Sequence, residues 1–304
     1  MYAPIVFFTY NRASHAQKAI QSLLTNHEAC ESDLIIYCDG AKGIPDTDTV
    51  EKNRAYIRRI KGFKSVTIVE REKNWGLANS LTAGITEVVN KYGRVIVVED
   101  DLIVAPYFLK YMNDALDKYE SDERISAVSA FLNPVNRELP ETFFLRYFAC
   151  WGWATWKRGW DLFNPDANDL LQQFQSYNQF RVFTINFSVK FYEMLRMQAE
   201  GRLDSWAIRF HASSFLADKL VLFPGKSMTA QTGFDGSGVH CGVDNEHYNV
   251  TLNTAPIHLC DEMPVKMSKK AYRTFERYYM GMLGRRGKIK KLLSIFGFNY
   301  KKWS

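Results

Sequence analysis

The chain has 304 residues and a mass of 35.2 kDa, enough for one large domain or two modest ones with a full hydrophobic core. Hydrophobic residues make up 46% and charged residues 24%, which excludes a disordered or fibrous chain. The formal net charge of +6 is unevenly placed: residues 265–304 hold 12 Lys/Arg against the single Glu276, while residues 1–264 hold 27 basic and 32 acidic residues, so a uniformly basic nucleic-acid coat is excluded.

In chain order, residues 4–10 read as a buried strand. Residues 14–25 read as a helix with Ala16, Ala19, Ile20, Leu23 and Leu24 at helical spacing. A second strand over 33–38 ends at Asp39-Gly40 and leads through a Gly/Pro/Asp loop into a basic amphipathic helix over about 49–60. A third strand follows at 65–70, then a helix at 77–90. A fourth strand at 94–98 ends in Glu99, Asp100 and Asp101. Alternating helices and unbroken apolar strands predict an α/β fold with a parallel sheet covered on both faces. Ligands of open α/β sheets bind beyond the carboxyl ends of the strands. Tyr10-Asn11-Arg12, Asp39-Gly40 and the three acids are therefore expected to line one crevice.

Beyond Asp101, residues 107–119 read as helix and 125–130 as strand. Residues 143–161 are aromatic-rich, 170–199 mainly helical, 204–217 a helix with Asp204 at its start, and 231–242 a Gly-rich loop. No Pro/Ser linker divides the chain, so residues 1–264 read as one continuous domain (halves 1–130 and 131–264), followed by a basic tail over 265–304. The five cysteines are odd in number and form no CxxC pair, which predicts reduced thiols in a cytoplasmic protein and no zinc site. No signal peptide is recognisable. No apolar run approaches the roughly 18 residues of a spanning helix.

Three adjacent carboxylates after a buried strand repel one another unless a cation or hydrogen bonds compensate. Hard ions such as Mg²⁺ and Mn²⁺ use one or two carboxylates and then substrate phosphates. The plainer account is an acidic turn capping the next helix. The segment VIVVEDDLIVAPYFLKYM over 95–112 resembles the acidic motif of the inverting N-acetylglucosaminyltransferase I family, which has the GT-A fold. The resemblance implies a Rossmann-like, mostly parallel central sheet flanked by helices, with a nucleotide-sugar-binding half at 1–130 and an acceptor-side half at 131–264. It also implies divalent-cation-dependent, inverting sugar transfer from a nucleotide sugar. By the same resemblance Asp101 binds the Mn²⁺ or Mg²⁺, and Asp100 and Glu99 contact the ribose and the donor sugar.

Other segments resemble the family's pieces in order. Phe8 to Arg12 is similar to its first-strand end, where Arg12 would meet the donor phosphates. Tyr37 to Gly40 is similar to its second-strand end, where Asp39 would face the uracil of a UDP-sugar. Asn74 to Asn79 resembles an N-x-G-x-x-x-x-N stretch of family-2-like bacterial transferases, with Asn79 near the diphosphate. Inversion requires a carboxylate that takes the acceptor hydroxyl's proton, while the metal stabilises the departing diphosphate. Arg202 to Trp206 resembles the family's D-D-W segment, with Asp204 as that base and Ser205 in place of one acid. Gly233 to Cys241 resembles a late loop of bacterial polysaccharide-type transferases. There His240 would complete the metal shell or touch the diphosphate, and imidazole suits Mn²⁺ better than Mg²⁺. Trp151, Gly152, Trp153 and Trp156 resemble a Gly-Trp segment beside the acceptor, the other reading being an aromatic core.

In the tail, Ile289, Leu292, Leu293 and Phe296 share one helical face with Lys288 and Lys291 beside it, the pattern of an interfacial amphipathic segment. The expectation is a cytoplasmic enzyme, peripheral on the inner face of an anionic membrane. It would use a UDP-hexose or UDP-hexosamine such as UDP-GlcNAc and a glycan or lipid-linked glycan acceptor in cell-surface polysaccharide assembly. Nucleic acid is not expected as a partner, and the oligomeric state is open. Two rivals are a sugar-nucleotide-forming nucleotidyltransferase, whose Gly-rich loop after the first strand is missing from TYNRAS, and an inactive glycan-binding protein.

Overall fold

A computed structural model describes residues 2–236 and 247–283. The first half alternates as the sequence predicts: β1 (Ile5–Thr9), α1 (Ala13–Leu23), β2 (Asp33–Cys38), α2 (Ile44–Ile57), β3 (Ser65–Glu70), α3 (Leu77–Tyr92) and β4 (Arg94–Glu99). Then come β5 (Leu102–Val104), α4 (Phe108–Lys118), β6 (Ile125–Ser129), β7 (Thr142–Leu145), β8 (Trp153–Trp156) and α5 (Lys157–Trp160). The remaining elements are α6 (Ala167–Gln172), α7 (Tyr177–Phe183), α8 (Phe191–Ala199), α9 (Trp206–Leu216), β9 (Leu220–Pro224), β10 (Thr229–Gln231) and α10 (Lys269–Met282).

Eight strands form one sheet in the order β3-β2-β1-β4-β8-β6-β9-β7. The strands β3, β2, β1 and β4 are mutually parallel. Strand β8 runs against both β4 and β6, and β7 runs against β9, which is parallel to β6. Successive side chains of a strand point to opposite faces, and both faces are filled here. Ile5, Phe7, Leu34, Ile36, Ile96 and Val98 pack with Ala16, Ile20 and Leu23 of α1 and with α4. Val6, Phe8, Ile35, Tyr37, Val95 and Val97 pack with Leu81, Ile85 and Val88 of α3 and, further along, with Trp153, Trp206 and Phe210. Burial on both faces explains why these strands read as continuous apolar runs. A separate aromatic cluster of Phe174, Phe180, Phe183, Leu195 and Phe215 joins α6, α7, α8 and α9.

Three boundaries differ from the sequence reading. Helix α2 begins earlier than residue 49 because Pro45 occupies its first turn, where a preset φ and a missing N–H favour helix initiation. The 170–199 segment is three helices. Between α7 and α8, Ile185, Asn186 and Phe187 take positive φ values of 49°, 55° and 59°, a left-handed turn that no α-helix continues. The expected start of the tail at residue 265 falls inside the packed body. Met267 bridges to Phe144, and Ser268 caps α10, which buries Ala271, Phe275 and Tyr279 against the sheet. Residues 284–304, with the Ile289 to Phe296 apolar face, lie outside the described residues, as does His240.

Candidate active site

The carboxyl ends of β1, β2 and β4 open into a cleft of about 370 Å³. One wall is made by Thr9, Tyr10, Asn11, Arg12, Asp39, Asn74, Gly76, Glu99, Asp100 and Asp101. The helical side contributes Met194, Asp204 and Trp206, and Cys150, Trp151 and Gln231 complete the lining. All three polar strand ends thus converge, joined from the helical side by Asp204.

The acidic turn is held from several directions. Glu99 pairs with Phe8 across the β1–β4 ladder, and the Asp100 N–H donates to the Phe8 carbonyl at 3.0 Å. Thr9 Oγ1 donates to Asp100 Oδ2 at 2.9 Å. Behind it Asn53, fully buried on α2, donates to Thr9 Oγ1 and to the Tyr10 carbonyl, each at 3.0 Å. Arg12, at the N-cap of α1, donates through Nη2 to Asp100 Oδ1 and to Asp101 Oδ2, the latter at 2.9 Å. Its Nη1 is buried with no hydrogen-bond partner among the described residues. The Asp101 carbonyl accepts from both N–H and Oγ1 of Thr232, at 2.8 and 2.9 Å. The β5–β10 ladder pairs Leu102 with Gln231. This brings Gly233 so close that a Cβ there would lie 2.7 Å from Asp101 Oδ2.

The charges interact strongly. Burial first, then Asp101 and Asp100, push the Glu99 carboxyl up to about 8 against the pull of Arg12. Burial also raises Asp100, opposed by Arg12. For Arg12, burial works against the charge, and Asp100 and Asp101 outweigh it, so its pKa is raised.

Asp39 is buried, and its carboxylate accepts the backbone N–H groups of Gly40, Trp75 and Gly76 at 2.9–3.1 Å. It therefore ties the β2 end to the loop that enters α3. Asn74 completes the knot by donating to the Gly40 carbonyl at 2.8 Å. Asn79, expected near the diphosphate, does not line the cleft. It is exposed one turn into α3 and donates to the Trp75 carbonyl at 3.0 Å, while Asn74 and Ser80 face the cleft instead.

Asp204 stands just before α9. The cap is Ser205, whose side chain accepts from the Ile208 N–H, so Asp204 is not spent on capping. Its side chain is 64% exposed, with Arg209 Nη2 at 3.3 Å. Of the tryptophans expected beside an acceptor, Trp151 lines the cleft, whereas Trp153 and Trp156 are core residues of β8. Gly152 between them has φ +76°, and a Cβ there would lie 2.6 Å from Thr229 Cγ2.

Asn53 was not singled out in the sequence, and Thr9, Asn74 and Gln231 stood only within named segments with no role of their own. Asn53 carried a signal: it sits at helical spacing with the buried Val50 and Ile57, and a polar residue on a buried helix face needs a polar partner. Among the described residues no three His, Cys, Asp or Glu side chains form a preformed metal cage. What is present fits a hard dication held through one carboxylate, Asp101, and completed by oxygens of a bound phosphate ligand.

A profile of the GNT-I family matches residues 1–168. The alpha-1,3-mannosyl-glycoprotein 2-beta-N-acetylglucosaminyltransferase of Arabidopsis thaliana is 23% identical over 180 residues, which cover 54% of this chain and 39% of that protein. The chain therefore spans about two fifths of that relative's length. Among solved structures, residues 1–349 of S. aureus TarS align with a TM-score of 0.44 and 14% identity, covering 76% of this chain and 60% of that one. The mannosyltransferase PcManGT of Pyrobaculum calidifontis, solved with GDP-Man and Mn2+, aligns with a TM-score of 0.40 and 13% identity, covering 71% and 70%.

Proposed function

The chain belongs to the GNT-I family, and from that premise we propose that it is a metal-dependent, inverting glycosyltransferase. Its donor would be a UDP-hexose or UDP-hexosamine such as UDP-GlcNAc, and its acceptor a glycan or lipid-linked glycan in cell-surface polysaccharide assembly. The observation that supports this most is the single cleft that gathers Arg12, Asp39, the three strand-end acids and Asp204. The curated relative's name, an N-acetylglucosaminyltransferase, points to the same donor class.

In this reading Asp101 would hold the Mn²⁺ or Mg²⁺. When bound, that ion supplies charge stabilisation to the departing diphosphate. Arg12 offers its unpartnered Nη1 to diphosphate oxygens, an ionic contact stronger than a neutral hydrogen bond. Asp39 fixes the Trp75-Gly76 loop at the uracil end. Asp100 and Glu99 face the ribose and the donor sugar. Asp204, on the helical side and free of the capping role, takes the proton from the acceptor hydroxyl. Trp151 offers a ring face to the acceptor sugar.

The decisive measurement is transfer and UDP release by Asp101→Asn with Mn²⁺ across a panel of UDP-sugars. Losing the metal's charge stabilisation is expected to lower turnover by about 10²–10³-fold or more. Full metal-dependent transfer by the variant would sink the proposal.

A membrane address is part of the same proposal. Residues 284–304 contain seven Lys/Arg and no acid, and each cation near an anionic leaflet adds about 1 kcal/mol. No helix among the described residues is long and apolar enough to cross a membrane. A chain ending at Leu283 keeps α10 and should lose binding to anionic vesicles while retaining donor hydrolysis. Unchanged vesicle binding would remove the tail's role.

A further inference from the structure

The arginine at the centre of the cleft does more than wait for a phosphate. We propose that Arg12 is an internal stand-in for the divalent cation: guanidinium and cation take turns on Asp101, and Arg12 passes to the donor's diphosphate when nucleotide and cation arrive together. This rests on the metal reading above and adds to it an exchange between two of the chain's own positions.

Three observations carry it. First, one nitrogen of Arg12, Nη2, bridges Asp100 Oδ1 and Asp101 Oδ2. These side chains are only 5% and 12% exposed. A guanidinium between two nearly buried carboxylates does the neutralising work that a cation would do there. Second, Asp101 Oδ2 is enclosed. Arg12 lies against it, Gly233 approaches so closely that even a Cβ would lie 2.7 Å away, and the Asp101 carbonyl is pinned by Thr232. The carboxylate has little freedom to turn toward a second positive group while Arg12 stays. Like charges so close in a poorly solvated cleft repel strongly, so Arg12 must withdraw before that oxygen is free. Third, Arg12 has a reason to withdraw toward a ligand. Its Nη1 is buried and unpartnered among the described residues, and an unmet buried donor is a standing penalty that an oxyanion in the cleft would relieve. The backbone at Arg12 caps α1 and stays in place, so only the side chain has to move.

The consequence is a coupling between ligands. Without nucleotide, Arg12 competes for Asp101 and the cation binds weakly. With the diphosphate present, Arg12 is drawn off Asp101 and the cation binds tightly. By linkage the cation tightens the nucleotide equally. The competition also protects the acidic turn from holding a cation unproductively before the donor is there.

The test is Mn²⁺ binding by the full chain, read from the electron paramagnetic resonance signal of free Mn²⁺, without and with UDP. Wild type, Arg12→Gln, Arg12→Lys and Asp101→Asn are compared after melting curves establish that each is folded. Removing the competitor should tighten UDP-free Mn²⁺ binding by at least about tenfold in Arg12→Gln, and shrink the further gain that UDP gives. Asp101→Asn should abolish Mn²⁺ binding in both conditions. Arg12→Lys, which keeps the charge but loses the planar fork, should fall between wild type and Arg12→Gln, and it decides the matter if Arg12→Gln does not fold. Equal or weaker UDP-free binding in the folded arginine variant overturns the exchange while leaving the metal reading intact. A wild type that binds no Mn²⁺ even with UDP overturns both.

Discussion

The two walls of the cleft are built on different principles. On the strand side, Arg12, Asp39, Glu99, Asp100 and Asp101 all follow the ends of buried parallel strands. Their backbones are fixed by ladder hydrogen bonds, and all but Arg12 and Glu99 are themselves buried. On the helical side, Asp204 is mostly exposed and precedes α9, which packs on one face of the sheet through Trp206 and Phe210 and on the separate helical cluster through Ile208, Ala212 and Phe215. The strand side is suited to holding a charged donor whose geometry does not change. The helical side presents one exposed carboxylate, paired with Arg209 at 3.3 Å, which in the reading proposed above serves the acceptor hydroxyl. The comparison teaches that donor binding and proton removal should be separable by mutation, because the strand-end acids are held by the β1 ladders and by Arg12 while Asp204 stands at an exposed helix start, touching neither.

The largest expected effect tests that separation directly. Asp204→Asn should lower kcat by about 10²–10⁴-fold, the usual worth of a general base, and leave UDP affinity in the presence of Mn²⁺ unchanged. Transfer kinetics and calorimetric UDP titration check both halves. A parallel fall in UDP affinity would show that the two walls act as one.

The next effect is on stability and is confined to the helical side. His211 of α9 is buried among Tyr147, Phe183 and Phe191, and its Nε2 has no hydrogen-bond partner among the described residues. Burial drives its pKa from 6.5 down to about 3, against a hydrogen bond to the Phe183 backbone. The fold therefore keeps the imidazole neutral, while the unfolded chain takes up a proton below about 6.5. The contribution to stability is complete above 6.5 and is lost as pH falls from 6.5 toward 3, by up to about 1.4 kcal/mol per pH unit. Melting temperatures measured between pH 7 and pH 4.5 should fall less steeply in His211→Leu than in wild type. UDP binding at pH 7 should be the same in both. An unchanged acid slope would mean that another group governs it.

The same contrast explains what could be read from the sequence. The strand side was legible because each apolar run ended abruptly in polar residues, and strand direction alone then placed Arg12, Asp39 and Asp101 in one crevice. Asp39's partners were not legible. The carboxylate is spent on the N–H groups of Trp75 and Gly76, a contact across 36 residues that leaves no trace in local pattern. Asn79 stands off the cleft because it follows Gly76 by three residues where the N-x-G-x-x-x-x-N stretch has its second asparagine at five, so the motif did not fix its side of α3. On the helical side Asp204 was found by resemblance rather than by periodicity, and its neighbour was undervalued. Ser205 looked like a departure from an acidic pattern, yet it is the residue that caps α9. The packed start of the supposed tail was hidden for a different reason: its charge stood out in composition, while Ala271, Phe275 and Tyr279 form a buried stripe that the cations around them mask.

Ser205 also gives the smallest and most specific test of the helical wall. With Ser205 accepting from the Ile208 N–H at 3.3 Å, the neighbouring Asp204 carboxylate remains available to the cleft. In Ser205→Ala the cap is lost, at a cost of about 1 kcal/mol. The carboxylate one residue upstream is then the nearest side chain able to turn toward the exposed helix N-terminus, where a negative charge is favoured. Each excursion of Asp204 to the cap removes it from the acceptor, so kcat should fall by several-fold while UDP affinity holds. Ser205→Asp restores a good cap and should recover the melting temperature. Its kcat should also recover if the loss in Ser205→Ala came from Asp204 being diverted, and should stay low if the serine hydroxyl itself serves the acceptor.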